Sequence, residues 1–386
     1  MAAPSLQNGL SPARVDALAR AAGFTTAGIA AVPEPGSHED QEERARFADW
    51  IEAGRAGEME YLQRRDEAGK LLRSSVRVVF PWARSVIVCA ANYNSAQLRS
   101  VDSAPAGAGW IARYAWSART SEQGERPTDY HKVLLRRLRA LHAAATTEFG
   151  PFESRCFVDT GPVVERLYAR YAGLGWTGKN TCLINQELGS WLFLGVMITS
   201  LEVPAESRRV GLAADRCGSC TRCLEACPTG ALTAPRQMDA NLCISYLTIE
   251  KRGEIPDELR AGIGRQVFGC DICQDVCPWN GRAPIASDPE LTPRTSLVNP
   301  ALEWLAAMDE AEFERVFNGS PVRRTKFAGF RRNVAVATGN SGQTEFLPTL
   351  AEWAHDADPV LAKTAQWAMG KLEERGPNQD RPIPQG

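Results

Sequence analysis

Residues 217–228 read CGSCTRCLEACP and residues 270–278 read CDICQDVCP. The first is the bacterial ferredoxin run C-x2-C-x2-C-x3-C-P, whose fourth cysteine ligates the other cluster of a pair. Two-residue spacers let three thiolates converge on one cube. The longer spacer and the proline then turn the chain outward, so Cys227 reaches a neighbouring cube. The second stretch matches the second, third and fourth cysteines of such a run, and Cys243 is the unassigned downstream cysteine that completes it. Exchange of fourth ligands assigns Cys217, Cys220, Cys223 and Cys277 to one [4Fe–4S] cluster, and Cys227, Cys243, Cys270 and Cys273 to the other. Two zinc sites, or chance proximity of buried thiols, are the competing readings. Zinc favours paired C-x2-C knuckles at longer separations, without a preference for Cys-Pro.

The rest of the composition is that of an ordinary globular protein: 44% hydrophobic, 23% charged, with a formal net charge of −2 that exerts no global pull toward nucleic acid or membrane. The start, MAAPSLQNGLSPARVDALARAAG, has neither the pattern of a signal peptide nor a twin-arginine motif. No run approaches eighteen consecutive apolar residues. A cytoplasmic protein without membrane association is expected, and in that reducing compartment cysteines read as metal ligands or buried thiols. Cys89 and Cys156 lie in apolar strand-like runs and read as small buried hydrophobes. Cys182 stays unassigned.

Residues 1–210 alternate helical and strand-like stretches, an α/β or α+β pattern. Helices are expected over 11–22, 39–53 and 130–149, and strands over 76–80, 85–92, 154–158 and 191–201. Residues 105–128, rich in Gly, Ala, Ser and Arg, read as a surface loop. Residues 211–283 form a compact, ligand-dominated ferredoxin-like unit. Residues 284–376 are expected to be all-helical, with a final hairpin of the kind found in HEAT-type repeats. Residues 377–386 are expected to be a disordered tail.

Ferredoxins are much shorter than this chain, so a second centre should receive the electrons. Asp159 ends an expected strand, just before Gly161-Pro162, at the strand-to-helix turn where active-site residues often lie. Its structural alternative is to cap a helix starting at Pro162. Asp129-Tyr130-His131 approaches the D-x-H-x-x-G motif of proteins whose histidine ligates cobalamin, but position 134 is Leu, so a structural or peripheral role is expected for His131. Residues 315–332 carry Arg315, Arg323, Arg324, Lys326, Arg331 and Arg332 with no acidic residue between them. Such a run suits phosphate-backbone contact, or else forms a solvated helix face.

Several stretches resemble one family: MEYL (59–62), ARYA (112–115), DYH (129–131), VDTGP (158–162), GWTGKN (175–180), CISYLT (243–248), GCDICQ (269–274) and RRTK (323–326), with Arg332-Asn333 and Gly339-Asn340. Together with the ferredoxin runs they identify the chain as similar to the epoxyqueuosine reductases, cobalamin- and iron–sulfur-dependent enzymes of the last step of queuosine biosynthesis in tRNA. One departure is that residues 116–128 separate ARYA from DYH, as an inserted loop.

The resemblance implies an N-terminal cobalamin-binding domain, a ferredoxin-like two-cluster domain and a HEAT-like C-terminal domain. It implies cobalamin bound base-off and reduced through the clusters to cob(I)alamin, with epoxyqueuosine at the wobble position converted to queuosine. Asp159 matches the family's proton donor, expected to be desolvated enough to hold its proton near pH 7. Tyr61, Asp159, Asn180, Leu183, Ser190 and Gln274 are implied cobalamin contacts. Arg323, Arg324, Lys326, Arg331 and Arg332 would hold the tRNA anticodon stem-loop. A reductant such as a flavodoxin or ferredoxin and a monomeric state complete the expectation. The rival readings are a reductive-dehalogenase-like corrinoid enzyme, a multidomain electron carrier and a tRNA-binding scaffold with structural clusters.

Overall fold

Residues 85–92, SVIVCAAN, are apolar on both faces of a strand, the pattern of a central rather than an edge position. In the computed structural model, which describes residues 10–121, 124–204 and 212–375, this stretch lies inside a four-stranded sheet. The strands are β1 (Thr26–Ala31), β2 (Ser85–Asn92), β3 (Ser154–Phe157) and β4 (Leu192–Thr199). They run in the order β1-β2-β4-β3, every pairing antiparallel. Period-2 alternation sends Ile87, Cys89 and Ala91 into one core, and Val86 and Val88 into the other.

Helices cover both faces. α1 (Pro12–Ala21) starts where Ser11-Pro12 predicts, the Ser11 hydroxyl accepting from the Arg14 N–H. α2 is His38–Glu52, and α3 is Tyr130–Phe149. α3 buries Val133, Leu134, Leu138 and Leu141 against one face of the sheet; truncating one such leucine to alanine costs about 2–5 kcal/mol. α4 (Glu165–Tyr171) packs Tyr168 and Ala169 on the opposite face. The arrangement is thus α+β within the mixed α/β class.

Two expectations fail here. Residues 76–80 are not a strand: Val76–Val79 forms one helical turn, capped by the Ser75 hydroxyl, with Val76 buried. A short apolar run carries no period of its own, and the cap decided it. Residues 105–128, including the expected inserted loop at 116–128, are not a surface loop. Trp110–Ile111 pairs in parallel with Gln266–Phe268. Ser117–Ser121 and Gly124–Pro127 form a hairpin that Thr292–Pro293 extends to three strands. Trp110, Ile111 and Trp116 are buried, and the Trp116 Nε1–H donates to the Ile111 carbonyl at 2.7 Å. Burying these large side chains outweighs the loop-like composition around them.

Thr292–Pro293 is a strand inside the expected all-helical 284–376, but from Leu302 onward the chain is helical: α5 (Lys326–Ser341), α6 (Leu347–Trp353) and α7 (Pro359–Arg375) follow shorter helices at Leu302–Ala307 and Glu310–Val316. A Cβ on Gly339 would lie 2.7 Å from the Ala368 Cβ, so α5 and α7 approach through a glycine. Their core, with Phe313, Phe330 and Leu361, continues into Trp110, Ile111 and Phe268. The expected boundary near residue 210 and the expected tail at 377–386 lie outside the described residues. Among the described residues no helix is long and apolar enough to cross a membrane.

Candidate active site

Thiols of the two runs lie close enough to influence one another. Burial, and then the neighbouring thiols of Cys277, Cys217 and Cys220, push the Cys223 thiol up to about 11. Cys270 has Cys243 and Cys227 for neighbours, and Cys273 faces Cys270 and Cys243. Cys277 thus acts on Cys223 of the first run, and Cys227 on Cys243 and Cys270, while Cys182 also acts on Cys277. Among the described residues no three His, Cys, Asp or Glu side chains are close enough to hold a single metal ion. The Trp176 Nε1–H points at the Cys217 sulfur at 3.5 Å, and the Lys179 ammonium donates to the carbonyls of Gly218 at 2.7 Å and Cys220 at 2.9 Å. Cys182, unassigned from sequence, lies against Cys273. Cys89 is fully buried on β2, as expected of a small hydrophobe, and Cys156 is half-buried on β3.

Asp159 follows the end of β3 with φ +59°, a left-handed conformation that costs a non-glycine residue on the order of 1 kcal/mol. Gly161 lets the turn close over Phe157, whose Cγ would lie 2.4 Å from any Cβ there. Asp159 does not cap a helix, because α4 begins six residues later behind Val164, without a side-chain cap. Instead its carboxylate accepts from the Tyr130 hydroxyl at 3.2 Å and faces His131 Nε2 at 3.8 Å. His131 Nδ1 pairs with Asp129 Oδ1 at 2.7 Å, and Asp129 also caps α3 by accepting the His131 backbone N–H.

These contacts set the electrostatics of both groups. Burial around the Asp159 loop pushes its carboxyl up, but the carboxylate itself is 67% exposed, and His131 and Tyr130 together hold it below the usual range. Burial pushes His131 down, yet its pairing with Asp129 and Asp159 outweighs that and raises the imidazole to about 9. His131 thus bridges the cap of α3 and Asp159. The sequence signal was available: Asp129 and His131 are two apart at a helix start, where one face meets the sheet edge.

Aromatic rings join the two centres. Tyr130 stacks on Phe193 at 4.2 Å, Phe193 stacks on Tyr93 at 4.2 Å, and Tyr93 meets the edge of Trp191 at 5.8 Å. The Tyr93 hydroxyl faces Gln274, next to Cys273. A cavity of about 300 Å³ beside Leu174, Trp176 and Arg216 includes none of the expected site residues in its lining.

Residues 216–280 match the 4Fe-4S double cluster binding domain, and residues 73–160 match the family described as epoxyqueuosine reductase QueG, DUF1730. The epoxyqueuosine reductase of Xanthomonas campestris is 38% identical over 93% of this chain and 95% of its own length. That of Escherichia coli K12 is 35% identical, over 86% of this chain and 84% of its own length. The chain belongs to the epoxyqueuosine reductase family. It shares the family's solved fold: a crystal structure of an epoxyqueuosine reductase with an epoxyqueuosine-modified tRNA-Tyr stem loop superposes with a TM-score of 0.79 at 29% identity, over 93% of this chain and 89% of that one. As an epoxyqueuosine reductase the chain is an oxidoreductase, and its iron–sulfur segment coincides with the thiols described above. The dehalogenase, carrier and scaffold readings are not favoured by relatives of this likeness.

Within this epoxyqueuosine reductase the remaining expected residues fall into three groups. Asn180, Ser190 and Gln274 gather beside Cys273: Asn180 donates to the Cys273 carbonyl at 3.2 Å and the Ser190 hydroxyl to Gln274 Oε1 at 3.1 Å, while Leu183 is buried in the core with Val163, Tyr168 and Leu174. Tyr61 stands apart, 39% exposed, with the guanidinium groups of Arg73 and Arg324 at 5.5 and 5.6 Å from its ring. The basic run is not the uncompensated patch the sequence implied. Arg323 pairs with Glu314, Arg324 with Glu250 at 2.5 Å, and Arg331 with Asp356 at 2.8 Å. Arg332 is buried and donates to the carbonyls of Leu247, Lys251 and Gly253. It pins α5 to the cysteine-bearing segment and cannot meet a phosphate. Arg323, Arg324 and Lys326 are exposed.

Proposed function

We propose that this chain reduces epoxyqueuosine to queuosine at the wobble position of tRNA, with electrons entering through two [4Fe–4S] clusters and protons delivered at Asp159. The observation that carries the reading is the bracketing of Asp159 by Tyr130 and His131, at the end of a row of rings that begins beside Cys273. Opening an epoxide places charge on oxygen, and a positioned acid protonates it as the C–O bond breaks. His131, charged at neutral pH, supplies that proton through Asp159, while Asp129 keeps the imidazole oriented. A Bacillus subtilis family member is known with its catalytic aspartate loop swung out of the active site, and the strained, exposed turn at Asp159 is consistent with such a loop.

Cys217, Cys220, Cys223 and Cys277 hold one cluster, and Cys227, Cys243, Cys270 and Cys273 the other. The neutral side chains of Asn180, Ser190 and Gln274, beside the second set, fit the peripheral amides of a base-off cobalamin, with Leu183 against its apolar face. Bound there, cobalamin would supply a strongly reducing, nucleophilic cobalt. Tyr61 borders the open side of Asp159 together with Arg324, whose charges all influence one another.

The anticodon stem-loop would lie over Arg323, Arg324 and Lys326, the first two releasing their carboxylate partners to meet phosphates. The layout is read as a cobalamin-binding unit over 1–210, a two-cluster unit over 211–283 and a HEAT-like unit over 284–376. A cytoplasmic monomer served by a flavodoxin or ferredoxin completes the reading. Anaerobic incubation of the reconstituted chain with cobalamin, a strong reductant and epoxyqueuosine-containing tRNA, followed by nucleoside analysis, tests it. Queuosine is expected; unchanged epoxyqueuosine with both clusters loaded would overturn it.

A further inference from the structure

The hairpin of Ser117–Ser121 and Gly124–Pro127 stands beside the acid–base centre, because its second strand runs through Thr128 directly into Asp129 and the start of α3. Thr128 fixes that junction. Its N–H donates to the Ser117 carbonyl at 3.0 Å and its hydroxyl to the Glu290 carbonyl at 2.6 Å. The hairpin also meets the segment leading to Arg323 and Arg324, since a Cβ on Gly319 would lie 3.9 Å from the Pro127 carbonyl oxygen.

The charged side chains of this region repel one another. Arg119 and Arg126 are direct partners across the antiparallel ladder, so both leave the same face, where like charges are destabilising. Lys132 and Arg136 repeat the arrangement on α3, four residues apart on one exposed face. The two pairs form one surface, because Arg119 and Arg136 bind the same carboxylate, Glu290. Arg137, buried below them, shares that carboxylate at 3.2 Å and pairs with Asp288 at 2.6 Å. Glu125 alternates to the other face of the ladder. Arg126 and Lys132 are exposed and, among the described residues, neither forms an ion pair. Four exposed cations therefore gather around one largely buried carboxylate, an arrangement suited to a ligand with closely spaced negative charges.

We propose that this surface, built from the hairpin and the outer face of α3, binds the phosphate backbone of the paired anticodon stem, while the loop lies over Arg323 and Arg324. The inference rests on the reading of tRNA as the substrate. Lys132 directly follows His131, and Arg136 lies one turn, about 5.4 Å, further along α3. The surface thus starts at the acid–base centre and leads away from it, as a stem must when its loop presents a base to Asp159. A ladder and a long helix give the duplex a rigid support, and phosphate contacts of this kind fix register without reading sequence.

Binding of the full chain, with both clusters loaded, to a modified anticodon stem-loop over a series of salt concentrations tests this. Arg126→Ala combined with Lys132→Ala should weaken binding severalfold and lower the salt slope by roughly 1.8, for two contacts to paired phosphates. Arg126→Lys combined with Lys132→Arg should keep the wild-type slope, and iron content should be unchanged in both proteins. An unpaired strand of the loop sequence should bind the alanine variant and the wild type with equal slopes. An unchanged slope against the stem-loop overturns the proposal. An equal loss against the unpaired strand overturns it too, by moving the contacts to the loop. Slower cluster reduction by an acidic flavodoxin, with the stem-loop slope intact, would give the surface to a protein and is likewise contrary. Failure to form queuosine while the slopes behave as expected would instead refute the proposed reaction, a separable result.

Discussion

Cys217–Cys227 and Cys270–Cys277 hold seven of the eight expected ligands in two short stretches, whereas Asp129, His131 and Asp159 come from the start of α3 and the turn after β3. The first region is specified by local spacing: a cube fixes the distance between thiolates, so the spacers must repeat. The second is specified by tertiary convergence, because a proton path needs only that carboxylates and an imidazole end near one another. Damage to the two regions should therefore look different. Loss of a ligand removes a whole cluster, while loss of an acid–base group leaves the molecule intact and alters its pH behaviour.

The largest effect is expected from ligand replacement. Cys277→Ser should erase the same cluster signal in paramagnetic resonance as Cys217→Ser, and Cys227→Ser the same signal as Cys270→Ser, each with turnover abolished. Pairing of Cys227 with Cys217 instead would refute the crossed assignment. Next comes the proton path. Because pairing raises His131 in the folded protein, its ion pairs stabilise fully below its unfolded value near 6.5, and that stability is lost as pH rises through about 9. Turnover should fall over the same upper range, and His131→Gln should remove that limb while keeping iron content.

A smaller effect belongs to the exposed arginines. Replacing Arg323 and Arg324 with alanine should raise the KM for tRNA severalfold and lower the salt slope of binding by roughly 1.4, for two contacts to single-stranded phosphates. An unchanged slope would remove them from the interface. Smallest is Trp176→Phe. Losing its N–H to the Cys217 sulfur should shift the potential of that cluster downward by about 40 mV, the one-electron equivalent of a hydrogen bond of about 1 kcal/mol.

The same contrast explains what the sequence made legible. The double-cluster segment, β2, α3 and the cap of α1 were readable because each rests on a local pattern: spacer length, alternation, or Ser-Pro at a helix start. Asp159 stood out through its turn, but its pairing with His131 was not visible, because His131 reaches it from another element. The hairpin at 117–127 escaped notice because its third strand, Thr292–Pro293, lies far along the chain. Arg332 looked like a surface cation until the carbonyls of residues 247–253 proved to be its partners. In each case the missing information was a partner distant in sequence.

The central claim is that clusters deliver electrons and Asp159 delivers protons, so the two functions should separate in one variant. Single-turnover reduction by Asp159→Asn, with both clusters loaded and stem-loop affinity measured in parallel, tests it most directly. The account predicts a loss of roughly a hundred- to ten-thousandfold in rate, with cluster content and affinity unchanged. A wild-type rate in that variant would contradict it.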